Sequence, residues 1–250
     1  MRPRRQTKPN QESHGQLAVL YEDDDIILVD KPVGLPSANA PRGADSLFVR
    51  LTKRFGSESF IGVVSRLDQP VSGVVIFAKT TASAASLAKQ FRERTVTKEY
   101  LAVVEKRFPA AINEWVTWQD QIRWDEATRR AVVGSRRAPQ LQGAEFALAD
   151  TQARVIRRAG EVSLVELRPQ TGRRHQLRAQ LATHGCPIVG DRLYGGRLPL
   201  ETGPVQGIAL HASRLTFLHP RTGDSQSVFA SIPASWRSRF PQLVPPAAAK

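Results

Sequence analysis

The sequence predicts an α+β fold: a mixed, largely antiparallel sheet with helices and loops inserted into it. Three observations predict it. Strand-like apolar runs are joined by connections of hairpin length, helical patterns occur without regular strand–helix alternation, and no segment repeats.

Residues 1–16 are polar, contain Pro3 and Pro9 and show no apolar periodicity. That composition predicts a disordered basic tail whose only role is extra attraction for phosphate. It also lacks the apolar segment of a secretory signal. Residues 17–240 are expected to form one domain with one core, and 241–250 a flexible C-terminal tail. LAVLY and IILV flank the acidic turn Glu22–Asp25 and read as a hairpin. A Pro/Gly-rich loop, DKPVGLPS, follows. From Ser46 to Phe55, Leu47, Leu51 and Phe55 recur every fourth residue and Phe48 widens that face, so the segment reads as a helix. The run VVIFA (74–78) reads as a buried strand. The alanine-rich stretch 81–94 reads as a helix, with Leu87 and Phe91 on one face, and a strand starts at Tyr100. Residues 105–142, which hold Trp115, Trp118 and the basic stretch 129–137, read as short irregular strands in a basic excursion. Strands resume at Ala153 and Ser163. A turn at 169–172 leads to a helix carrying Leu177 and Leu181, stopped by Gly185, and ALHASRLTFLHP reads as a last strand.

The charge balance narrows the function. Lys and Arg number 36 against 23 Asp and Glu, for a net charge of +13, and many of the arginines are paired in sequence, among them 129–130, 157–158 and 173–174. A guanidinium grips phosphate with a planar fork and stacks on bases, so the composition points to RNA or DNA as the partner. No apolar run approaches the ~18–20 residues a membrane helix needs, so no membrane partner is expected. The lone Cys186 excludes an intrachain disulfide and a multi-cysteine zinc site, and suits a reducing, cytoplasmic location.

Motifs for cofactors are absent. There is no P-loop, no G-x-G-x-x-G, and no H-E-x-x-H or other metal-ligand spacing, so no cofactor and no metal are expected. His175 and His184 read as helix-surface or RNA-contacting residues, and Cys186 as a small apolar filler. What remains is Asp68, in the stretch SRLDQPVSG just before the buried strand. Burial there would raise its pKa unless a cation compensates, and Arg66 and Arg178 are the candidates. An ionised carboxylate in an apolar pocket can act as nucleophile or base. Equally, an Asp before Gln-Pro can do no more than cap a turn.

Three stretches resemble the RluA family of RNA pseudouridine synthases. SRLDQPVSGVVIFAK is similar to that family's H-R-L-D-x-x-T-S-G-x-x-x-x-A-K. FRERTVTKEYLAVV is similar to its F-x-x-x-x-x-x-K-x-Y-x-A-x-V. TGRRHQLRAQLATHGCPIVGDRLYGG is similar to T-G-R-x-H-Q-[IL]-R-x-H-[LM]-x-x-x-G-x-P-[IL]-x-G-D-x-x-Y-G. The resemblance extends to YEDDDIILVDKPVGL and LHASRLTFLHP and covers roughly residues 17–235. It implies a pseudouridine synthase catalytic domain without an S4-like RNA-binding module, an isomerase of uridines in rRNA or tRNA, acting without cofactor or obligate protein partner, as a monomer. It implies that Asp68 is the catalytic aspartate, Tyr100 the ring that packs on uracil and Arg178 the partner of the aspartate. Leu177 would line the pocket, Arg66 would fill the gap left by the flipped base, and Arg173, His175 and Gln176 would bind substrate. The reaction breaks the N-glycosidic bond, turns the base and joins C5 to the ribose, a redox-neutral change that one carboxylate can serve.

Three positions depart from the family pattern: Ser65 and Gln180 stand where histidine is usual, and Val71-Ser72-Gly73 replaces T-S-G. Two further readings follow. One is a catalytically weak, RNA-binding member of the family, with Ser65 and Gln180 as signs of drift. The other is a carboxylate hydrolase of nucleosides or sugars with Asp68 and Asp191 as its acid pair; the basic surface counts against it.

Overall fold

The structure, a computed structural model, describes residues 17–38, 41, 43–134, 146–200 and 207–244. The expected basic tail of residues 1–16 lies outside them. In chain order the first elements are β1 (Ala18–Glu22), β2 (Ile26–Lys31), α1 (Leu47–Phe55), β3 (Gly62–Val63), β4 (Ser72–Ala78) and α2 (Thr81–Arg92). Then come β5 (Thr97–Glu105), β6 (Trp115–Asp125), β7 (Arg130–Gly134), β8 (Ala147–Ala159) and β9 (Val162–Pro169). Next are α3 (Gln176–Thr183), a 3-10 turn (Arg192–Tyr194), β10 (Leu210–Leu218), β11 (Ser225–Phe229) and α4 (Ala234–Arg239). The α+β expectation holds. The chain divides into two compact units where the sequence suggested one core: residues 1–97 with 212–231, and residues 98–211 with 232–250.

In the first unit, β1 and β2 form the expected hairpin and β2 pairs antiparallel with β4, from Ile26 opposite Ala78 to Lys31 opposite Gly73. β10 is the next neighbour of β4, and β11 pairs with β10. Every residue of β4 is buried because both faces of the sheet are covered. Val74, Ile76 and Ala78 join Ile26, Leu28 and Phe217 in a cluster with Leu87 of α2. Val75 and Phe77 point the other way, to Ile27, Val29 and to Leu47 and Leu51 of α1. A strand with two apolar faces loses the polar/apolar alternation of a half-exposed one, hence the continuous run VVIFA. α1 starts where Ser46 accepts a hydrogen bond from the Val49 N–H, and α2 where Thr80 accepts from Ser83. Gly73 has φ 114°, and a Cβ there would lie 2.6 Å from the Ala212 nitrogen, so only glycine lets β10 come this close to β4.

In the second unit the strands run β5-β9-β8-β6-β7, each pair antiparallel. β8 alternates buried and part-exposed residues along most of its length, the pattern of a sheet covered on one side. Ala149, Ile122 and Ala131 from that side pack on Ala179 of α3. The opposite side carries paired charges: Arg154 bonds Glu166 at 2.6 Å, and Arg168 bonds Glu166 and Glu99 at 2.9 Å each. The segment expected to hold short irregular strands instead forms the 11-residue β6 and, with β7, a regular hairpin. Its outward residues are polar and varied, which masked the period. The chain also stays folded past 240. Leu243 and Val244 are buried and their N–H groups bond to the Phe240 carbonyl, so residues 241–244 are not a flexible tail.

Candidate functional site

Asp68 lies half-buried between β3 and β4 on a loop fixed at several points. Its carbonyl accepts from the Val71 N–H at 3.0 Å, closing a turn around Gln69 and Pro70. The Ser37 hydroxyl holds the preceding residue on both sides, accepting from the Leu67 N–H and donating to the Leu67 carbonyl, each at 3.0 Å. Gln69 is tied to Gly34 twice, through its carbonyl and through its amide nitrogen, each at 2.9 Å.

Lys31 completes the support. Its side chain is wholly buried at the end of β2, and its ammonium donates to the carbonyls of Leu35 at 2.7 Å, Pro32 at 2.9 Å and Gln69 at 3.0 Å. Three donors meet three acceptors, which satisfies the ammonium without a direct carboxylate. Burial pushes its pKa down to about 7, against the pull of the nearby Asp68 and Asp30 charges. Burial likewise pushes Asp30 up to about 6, opposed by Lys31 and a bond from the Gly73 N–H. Lys31 was passed over in the sequence as part of a Pro/Gly-rich loop. The available signal was the charged pair Asp30-Lys31 closing the apolar run IILV just before Pro32, where no solvent-facing alternation explains it.

Ser65 has a definite task. Its hydroxyl accepts from the Ile76 N–H at 3.2 Å, pinning the Asp68 loop to β4. β3 pairs only with Phe77 and Ala78, so a side-chain oxygen supplies the acceptor that the short strand does not reach. Arg66 is exposed.

The second group lies in and before α3. Arg178 is buried, and its Nε and Nη2 donate to the two oxygens of Asp191 at 2.7 and 2.8 Å. Its Nη1 lies 3.2 Å from His175 Nε2. An arginine can only donate, so that ring nitrogen accepts and the imidazole proton sits on Nδ1, 3.0 Å from the Tyr194 oxygen. Tyr194 in turn accepts from the Ala131 N–H at 2.7 Å. His175 is placed for this by a left-handed backbone, φ 54°, immediately before the helix. Both oxygens of Asp191 serve Arg178, so Asp191 is not available as the second acid of a hydrolase pair.

Gln176 is buried and its amide is used completely. Its oxygen accepts from Thr171 Oγ1 at 2.8 Å and the Arg173 N–H at 3.0 Å, and its nitrogen donates to Thr151 Oγ1 at 2.9 Å and the Asp150 carbonyl at 3.1 Å. That makes it a brace of the 171–176 turn, where the sequence suggested a substrate contact. Gln180, fully buried, accepts from Thr151 Oγ1 at 2.7 Å and donates to Asp120 at 2.8 Å. His184 reaches the same Asp120 at 3.1 Å while stacked on Trp118 with centroids 4.2 Å apart. Leu177 is buried, Arg173 is exposed with its Nε on the Leu148 carbonyl, and Tyr100 is half-buried on β5 opposite Leu167. The structure therefore brings Arg173, His175, Gln176, Leu177 and Arg178 together in the second unit, and Asp68 and Arg66 in the first.

One cluster among the described residues has metal-ligand chemistry: Asp23, Asp25 and His219. Its groups are already engaged, with His219 on Asp23 at 2.8 Å, the Ser83 hydroxyl donating to Asp25 at 3.1 Å and the Arg221 guanidinium in an ion pair with Asp25 at 2.7 Å, so it reads as a structural brace.

Residues 25–183 match the family described as RNA pseudouridylate synthase, and this span contains the Asp68 loop, Tyr100 and all of α3. The dual-specificity RNA pseudouridine synthase RluA of Salmonella typhimurium is 35% identical over 216 residues, covering 84% of this chain and 91% of the relative. The chain belongs to the RluA family of RNA pseudouridylate synthases. The tRNA pseudouridine synthase C of Haemophilus ducreyi is 32% identical, covering 91% of this chain and 96% of that protein. The ribosomal large subunit pseudouridine synthase D of Xanthomonas campestris is 35% identical over 87% of this chain, which spans 66% of that longer protein. Among solved structures, human RNA pseudouridylate synthase domain containing 1 superposes with a TM-score of 0.69 at 26% identity, covering 89% of this chain and 86% of the other. Pseudouridylate synthases are isomerases that convert uridine to pseudouridine within RNA, and the expectation of this family and of that activity holds. Among the described residues no helix is long and apolar enough to cross a membrane.

Proposed function

We propose that this pseudouridylate synthase isomerises specific uridines of rRNA or tRNA, with Asp68 as its essential catalytic group. The observation that carries the reading is the construction of the Asp68 loop. A buried lysine, a serine and a glutamine fix its backbone from three directions, while the carboxylate itself stays accessible enough to meet a substrate. A site that must act on one sugar or base needs its reacting group placed before the substrate arrives. Arg178, oriented by Asp191, supplies fixed positive charge, and Tyr100 supplies a ring for the detached uracil. In this proposal the buried, apolar Leu177 would line the uracil, and exposed Arg66 would take the place of the base when it flips out, a step costing about a few kcal/mol. The relatives named above act on ribosomal RNA, on tRNA or with dual specificity, which supports both substrate classes.

Ser65 and Gln180 each fill a defined hydrogen-bonding position, which counts against reading them as signs of drift. Tritium release from RNA labelled at uracil C5 tests the proposal, since that hydrogen leaves when C5 joins the ribose. Wild type should release label and form pseudouridine, and Asp68→Asn should lose at least ~1,000-fold in rate while keeping its thermal midpoint. Undiminished release by Asp68→Asn would refute the assignment, and free uracil as product would restore the hydrolase.

A further inference from the structure

We propose that Arg174, stacked on Trp124, forms a subsite for an unpaired nucleotide of the substrate RNA other than the target uridine. The proposal rests on the RNA-modifying function given above. Arg174 directly precedes His175 and is exposed, and its guanidinium carbon lies 3.5 Å from the centre of the Trp124 ring. At that distance the cation is in direct van der Waals contact with the indole, well inside the ~6 Å limit of a cation–π contact. Trp124 does not move freely, because it packs on the cluster of Ile122, Ala131, Ala149 and Ala179, and the His175 ring meets it edge-on at 5.1 Å. The indole is thus a rigid floor beneath the guanidinium.

A planar cation stacked on one face has two things left to offer. Its outer face can take a nucleobase, which has a π-surface whatever its identity, and its N–H edge can take a phosphate oxygen. No internal partner competes for them. Among the described residues, Arg174 forms no ion pair, and neither do the exposed Arg129, Arg130 and Arg173. By contrast, Arg154 and Arg168 also lie over a tryptophan, Trp115, each at 4.6 Å, but both are bound to glutamates and their charge is spent. Among the described residues, the other arginines that lie over a ring without an ion pair stand farther off, Arg239 at 5.7 Å from Phe240 and Arg123 at 5.9 Å from Phe146, so Arg174 combines the closest stacking with uncompensated charge. In a duplex the phosphates stay exposed but the base faces are taken up by stacking on their neighbours, so only a single-stranded nucleotide can use the stacking face together with the N–H edge.

The test uses a fluorescein-labelled oligouridylate of about ten nucleotides, a duplex RNA of the same length, and the variants Arg174→Gln and Arg174→Lys. Arg174→Gln should weaken oligouridylate binding by about tenfold and lower the slope of log K against log salt by about 0.7, the value of one lost phosphate contact on a single strand. Duplex affinity should change by less than ~3-fold. Arg174→Lys should recover the salt slope but not the affinity, since an ammonium has no plane to stack. Equal losses on single strand and duplex, full recovery with lysine, or no loss at all would each overturn the subsite. On a cellular RNA that the wild type modifies, Arg174→Gln should raise KM more than it lowers kcat. If the wild type releases no tritium from any RNA, the functional reading fails by itself, and the oligouridylate measurements still decide the subsite.

Discussion

The Asp68 loop and the α3 segment both hold a charged group at a fixed place, and they do it by opposite means. In α3 the charge is balanced on the spot: Arg178 faces both oxygens of Asp191, and the amides of Gln176 and Gln180 are filled by neighbours. Around Asp68 the anchoring charge is not directly paired. The Lys31 ammonium rests on three neutral carbonyls, and the carboxylates of Asp30 and Asp68 act on it through space. The difference teaches how each half tolerates damage. A closed ion pair costs most when one partner is removed, whereas a cation on carbonyls also exposes the fold to pH.

The largest effect should come from Asp191→Ala, which takes both carboxylate oxygens away from the buried Arg178 guanidinium. Loss of about 3–5 kcal/mol in urea unfolding is expected, and a loss below ~1 kcal/mol would show that α3 is not closed in the way described. Next comes Lys31→Met, which keeps the stem and deletes the ammonium, leaving three carbonyls without a donor. Destabilisation of about 2–4 kcal/mol is expected at pH 6, where Lys31 is still mostly charged. The same variant sharpens the contrast through pH. The folded Lys31 pKa, about 7, lies below its ordinary 10.5, so the unfolded chain binds more protons between those values. Stability from this group is present above pH ~10.5 and is lost as pH falls through about 7. Asp30 runs the other way: its contribution is full below 3.8 and is lost as pH rises through about 6. Unfolding free energies at a series of pH values should rise from pH 7 towards 10 more steeply for wild type than for Lys31→Met; parallel curves would show Lys31 to be ordinary. The smallest effect belongs to Ser65→Ala, which removes one acceptor from the Ile76 N–H and should cost about 1 kcal/mol, with a larger fractional loss of activity than of stability.

Much of the first unit was legible because its signals are local. The apolar spacing of 46–55 and the alanine-rich stretch 81–94 mark helices, the acidic turn after Glu22 closes a hairpin, and VVIFA reads as a buried strand. The supports of the site were not legible, because each depends on partners distant in sequence. Nothing near Lys31 says that it reaches the Gln69 carbonyl, and nothing near Ser65 says that β3 stops short of Ile76. In the second unit the β6–β7 hairpin was hidden by a polar, varied outer face, and the bracing role of Gln176 by its place in a run of arginine and histidine. The division of the chain was hidden too, since Thr97 to Lys98 marks no change in composition or pattern.

The close packing of Gly73 on Ala212 has a consequence for the timing of assembly. The strand that follows the Asp68 loop gains its neighbour β10 only after the whole second stretch of the chain has been synthesised. Contacts between such distant segments form late and slow the overall reaction, because a large loop must close before any of them is gained. On the ribosome, the nascent chain therefore carries Asp68 on an unfinished sheet until β10 and β11 emerge.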